Sequence, residues 1–70
     1  METTYQRVTN RLRNEIINGE VERGGWLRMT TIAERFGVSV QPVREALQQL
    51  EGEGLVELIP NHGARVRMLD

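Results

Sequence analysis

Between Thr4 and Asn18 the apolar side chains Tyr5, Val8, Leu12 and Ile16 recur every three or four positions, the stripe of an amphipathic helix. Asn18-Gly19 marks its end. Its other faces carry Arg7, Arg11, Arg13 and Glu15, which read as a solvated surface. Residues 19–25 (Gly-Glu-Val-Glu-Arg-Gly-Gly) form a loop, after which Trp26-Leu27-Arg28 leaves room only for a very short strand. Met29 to Phe36 predicts a compact helix with Ile32, Ala33 and Phe36 facing one way. Thr31 and Glu34 stand at capping-box spacing, with Arg28 and Thr30 as alternative starts. Gly37 then reverses the chain in a left-handed conformation.

The next helix is the most clearly marked. Ser39 suits its N-cap, Pro42 falls in the first turn where a missing N–H costs nothing, and Val43, Ala46, Leu47 and Leu50 make a full i, i+3, i+4, i+7 stripe. Gly54 closes it, and Gly52 weakens its last turn by up to about 1 kcal/mol relative to alanine. From Leu55 the period drops to two. Leu55–Ile59 and Ala64–Met68 read as strands joined by the turn Pro60-Asn61-His62-Gly63, with Ala64, Val66 and Met68 inward and Arg65 and Arg67 outward. Trp26 is expected to cover the edge of the small core, with a protein interface as its other possible role. The fold class is therefore α+β and mainly helical, three helices plus a C-terminal hairpin.

Composition narrows the chemistry. With 70 residues, the chain is one domain with a small core, folding with little margin or with the support of a partner or further chain. The absence of cysteine removes disulfides and Cys-based zinc sites and suits a reducing compartment. One serine (Ser39), one histidine (His62) and one aspartate (Asp70), with no lysine, exclude triads and His-rich metal cages, so no enzyme is expected. No apolar run is long enough to span a membrane and Met1–Asn10 is polar, so a soluble, cytoplasmic protein is expected.

A net charge of −1 argues against nucleic acid when taken globally. Its distribution does not. Glu51, Glu53 and Glu57 crowd into residues 51–58, at the end of the third helix and the strand after it, while all nine cations are arginines spread along the rest of the chain.

Two helices hinged at Gly37-Val38-Ser39 and followed by a hairpin make a winged helix-turn-helix. The strings Ala33–Ser39, Pro42-Val43-Arg44-Glu45-Ala46-Leu47, Leu50-Glu51, Glu53-Gly54-Leu55-Val56 and Gly63-Ala64-Arg65-Val66 carry the resemblance over roughly residues 5–68. The chain resembles the GntR family of bacterial transcription regulators, and most the branch of fatty-acid-responsive and vanillate regulators.

The resemblance implies double-stranded DNA as partner, with the recognition helix over 39–53 in the major groove and the wing over 60–65 at the minor groove or backbone. It implies a homodimer on a palindromic operator, with no cofactor in residues 1–70. A small-acid effector, with or without a metal, would bind a separate C-terminal domain. Ser39 would touch phosphate as well as cap. Arg44 would read guanine or clamp phosphate from a face shared with Gln41 and Gln48, while Glu45 would orient an arginine. Thr30 and Thr31 would cap or bond phosphate, and His62, Gly63 and Arg65 would serve the wing. The family pattern Ser-Arg-Thr-Pro is here Ser39-Val40-Gln41-Pro42. Val40 offers only apolar contact, such as to a thymine methyl, and Gln41 can read an adenine edge. The rival reading is a protein-interaction module using Glu51, Glu53, Glu57 and Trp26. Convergence of Gln41, Arg44, His62 and Arg65 on one concave strip would favour DNA.

Overall fold

A computed structural model describes residues 1–68. The elements run α1 (Thr4–Ile17), β1 (Trp26–Leu27), α2 (Met29–Phe36), α3 (Val40–Gly52), β2 (Val56–Ile59) and β3 (Gly63–Val66). The helices and the hairpin lie where periodicity puts them. The short strand does more than expected: β1 pairs antiparallel with β3, giving a three-stranded sheet in the order β1-β3-β2.

Helix α3 is the centre of the core. Val43, Ala46, Leu47 and Leu50 are fully buried, against Val8 and Leu12 of α1, Ile32 and Ala33 of α2, and Leu27, Val56, Ala64 and Val66 of the sheet. At about 2–5 kcal/mol for truncating such a leucine to alanine, this stripe fixes how α3 is rotated and hence which of its residues face outward.

Helix α1 starts with a complete capping box: the Thr3 hydroxyl accepts from the Gln6 N–H at 3.1 Å, and the Gln6 side chain accepts from the Thr3 N–H at 2.9 Å. Helix α2 takes one of its alternative starts, Arg28, and not the capping box at Thr31. Arg28 is its N-cap and makes no side-chain cap bond, so Thr30 and Thr31 lie inside the first turn and cap nothing. Gly37 ends α2 at φ 67°, the left-handed cap that lets α3 turn away.

Two expectations about the surface are corrected. Glu15 is buried rather than solvated: it accepts from Arg11 Nε at 3.1 Å and from Arg35 at 2.8 Å, tying α1 to α2. Met68 is exposed rather than inward, because the pairing that enforces alternation ends at Val66.

Candidate nucleic-acid interface

Gly63 sets the position of the wing. It is buried at φ 112°, and any Cβ placed there would strike the Leu27 carbonyl oxygen and press on the Arg28 backbone. Only glycine lets β3 start this close to β1. The glycine is thus needed for an approach to the protein's own backbone. The turn is completed by Asn61 at φ 67°, a region asparagine tolerates, and by the His62 N–H donating to the Ile59 carbonyl at 3.1 Å.

With the wing held there, a groove of about 620 Å³ opens between the start of α2, the outer face of α3 and the turn. Thr30, Val40, Arg44, Gln48, His62 and Gly63 line it. Arg28, Met29 and Asn61, which sequence reasoning did not single out, line it too. Arg28 carried no signal of its own; it follows β1, whose antiparallel pairing with β3 no local pattern announces. Among the lining residues are two arginines and one histidine and no carboxylate.

The remaining expected residues are not among those that line it, so of the four side chains expected to converge the groove brings together Arg44 and His62 but not Gln41 or Arg65. Gln41 is exposed, and its Oε1 accepts from Arg44 Nη1 at 3.1 Å, so the two act as a pair. That bond replaces the salt bridge a neighbouring glutamate would make; Glu45 pairs with no arginine among the described residues. Ser39 occupies the N-cap position in extended conformation, but its exposed hydroxyl makes no cap bond, contrary to expectation. Pro42 is half-buried in the first turn, and Thr31 is exposed on α2.

Arg65 does not line the groove. It sits opposite Trp26 and Glu57 in register, its guanidinium 5.3 Å over the Trp26 ring. Trp26 is half exposed and meets the His62 ring edge-on at 6.1 Å, while its neighbour Leu27 takes the core side. The indole therefore backs the wing instead of covering the core edge.

The acidic cluster is largely committed inside the domain. Arg13 meets Glu53 through Nε to Oε1 at 2.8 Å and Nη2 to Oε2 at 2.6 Å, joining α1 to the end of α3. The Arg13 hydrogen bond, with a second from Gln49, holds the Glu53 carboxyl well below its usual range, to about 2, and the same bond raises Arg13. Glu51 accepts from the Leu58 N–H at 3.0 Å, closing a backbone donor on edge strand β2. A protein-docking surface built on these acids loses two of its three carboxylates.

The sequence model of the family described as bacterial regulatory proteins, gntR family, matches residues 4–66. The chain is 42% identical over 55 residues to the HTH-type transcriptional repressor GlaR of Escherichia coli (strain K12), covering 79% of this chain and 25% of that protein. It is 45% identical over 56 residues to the gluconate operon transcriptional repressor of Bacillus subtilis (strain 168), covering 80% of this chain and 23% of that one. It thus spans about a quarter of the length of these relatives. Among solved structures, a GntR family member from Pseudomonas syringae pv. tomato superposes with a TM-score of 0.83 at 43% identity, covering 93% of this chain and 27% of that one. Streptococcus agalactiae BusR, in complex with its busAB-promotor DNA, gives 0.87 at 30% identity, covering 97% and 34%.

Proposed function

Since the chain belongs to the GntR family of bacterial regulatory proteins, we propose that it is the sequence-specific DNA-binding domain of a transcription regulator. The observation that carries this reading is the groove between α3 and the wing, lined by Arg28, Arg44 and His62 with no carboxylate among its residues. DNA is a polyanion whose base edges are reached from a groove, and it requires cations that are not already neutralised. Helix α3 enters the major groove, where Arg44, oriented by Gln41, bonds guanine O6 and N7, and Gln48 lies on the same side. The first turn of α3, without a bond from Ser39, presents free N–H groups to a phosphate. The wing brings His62 to the minor groove or backbone.

One domain with so few cationic contacts binds weakly and loses affinity steeply with salt. The protein therefore works as a homodimer on a palindromic operator, since two linked readers gain roughly a hundredfold or more in effective concentration. A separate effector domain for a small acid, of the kind in the fatty-acid-responsive and vanillate-regulator branch, supplies dimerisation and control. This reading places the protein in the cytoplasm, with the chromosome, and assigns it no catalysis. It is supported by the names of the relatives, which are repressors about four times as long as the part matched.

Selection of duplexes from a random pool by the full-length protein tests the proposal. Enrichment of a palindromic motif is expected, with Arg44→Ala weakening binding by about 1–3 kcal/mol and relaxing one position per half-site. No enrichment, or the same motif at the same affinity in the variant, overturns it.

A further inference from the structure

The groove holds more apolar surface than phosphate binding requires. Met29, Leu58, Ile59 and Pro60 line it together with Val40, the first residue of α3, which is half-buried and packs against the core on its inner side. Val40 and Arg44 are one helical turn apart, on the same side of α3 and about 6 Å apart along its axis. Stacked bases rise about 3.4 Å per step along a strand. When the Arg44 guanidinium reaches a base edge, Val40 therefore faces an edge one or two base pairs away.

A β-branched hydrocarbon has nothing to offer a donor or an acceptor. On the major-groove edges the apolar feature is the C5-methyl group, carried by thymine and absent from unmodified cytosine. Gln41, whose amide oxygen accepts from Arg44, is polar and offers no apolar match to a methyl. Resting on the DNA reading above, we infer that the domain selects a 5-methylpyrimidine within two base pairs of the pair read by Arg44, and that Val40 is the residue that recognises the methyl. Thymine carries that methyl in ordinary DNA and 5-methylcytosine carries it in modified DNA; the shared chemistry is the apolar C5 substituent.

The test first deletes the methyl from the DNA and then alters Val40. Affinity of the full-length protein for its enriched duplex is measured with each thymidine replaced in turn by deoxyuridine. One position per half-site is expected to lose about fourfold, the worth of one buried methyl, while the others stay within about twofold. At that position cytosine should bind weakly and 5-methylcytosine should recover the loss. The difference between thymidine and deoxyuridine should vanish in Val40→Ala and shrink in Val40→Thr, which keeps the branched shape and guards against a folding defect. A bound duplex indifferent to every deoxyuridine overturns the inference and leaves the DNA reading standing. So does methyl sensitivity that persists in both Val40 variants, since another residue then reads it. Failure to enrich any duplex instead removes the DNA reading, and the inference falls with it.

Discussion

The face built around α1 and the groove between α3 and the wing use the same residue, arginine, in opposite ways. Behind α1, Arg11 and Arg35 close on the buried Glu15, and Arg13 closes on Glu53. In the groove, Arg28 makes no ion pair among the described residues and Arg44 is held by a neutral amide. The helix starts differ in the same sense. Thr3 satisfies the first turn of α1 with a complete capping box, whereas Ser39 leaves that of α3 without a side-chain acceptor. One face is complete within the chain; the other has donors still to be met. A net charge of −1 averages the two and conceals both. What decides whether a small domain can hold a polyanion is which cations its own carboxylates have already taken, and where those lie.

The largest effect is expected at the residue that joins the two regions. Gly63→Ala places a side chain against the Leu27 carbonyl at a φ of 112°. Strain of about 1–3 kcal/mol from the backbone alone, plus the displacement of β3 from β1, should cost about 3 kcal/mol in urea denaturation. Against a typical stability of about 5 kcal/mol for a domain of this size, the melting temperature should fall far and the groove should be lost with it. An unchanged denaturation midpoint would show that the wing is not clamped through this glycine, and the groove would then lose its fixed wall.

The sequence exposes the scaffold well because period and caps are local. The Val43/Ala46/Leu47/Leu50 stripe, Pro42 and Gly37 define α3 and the turn before it, and the core they predict is the core found. Apart from the cap bond that Ser39 does not make, the failures are of longer range. A two-residue strand has no period, so nothing in Trp26-Leu27 announces its pairing with Arg65 and Ala64. Without that pairing, Trp26 reads as a core edge, Gly63 as an ordinary turn glycine, and Arg28 as no part of any site. Glu15 reads as solvated because its second partner, Arg35, is twenty residues away. Of the candidate site, Val40, Arg44 and Gln48 follow directly from the rotation of α3. Thr30, His62 and Gly63 join them only through the packing of the wing, and Arg65 is turned to the Trp26 side.

The two cap positions give a sharper and smaller contrast. Thr3→Ala removes a hydroxyl that bonds the Gln6 N–H and should cost about 1 kcal/mol of stability with no effect on DNA affinity. Ser39→Ala removes a hydroxyl that bonds nothing within the described residues, so stability should stay within about 0.5 kcal/mol. If that hydroxyl meets a phosphate, affinity for the enriched duplex falls instead. Thermal melts and titrations on the same two variants separate these outcomes. Equal stability losses would mean that the two helix starts are alike, and the distinction between a finished and an unfinished face would lose one of its two supports.

The smallest effect belongs to the Arg13–Glu53 pair, and pH isolates it. The folded protein holds the Glu53 carboxyl at about 2, against an ordinary value of 4.5. A depressed carboxyl contributes stability that is fully present above the ordinary value and is lost as pH falls from about 5 toward 2, because protonation releases the Arg13 bond. The pair is partly open to water on both sides, so screening keeps its net contribution below about 1 kcal/mol. Glu53→Gln should therefore lower stability slightly at pH 7 and narrow the gap to wild type as the pH approaches 2. Denaturation at a series of pH values reads the convergence directly. The groove contains neither residue, so DNA affinity at pH 7 should be the same in variant and wild type to within about twofold. A variant that tracks the wild type in parallel down to pH 2 would place the acid sensitivity elsewhere. One that loses DNA binding at pH 7 would show that the charges behind α1 are felt in the groove, and that the two faces are one electrostatic unit.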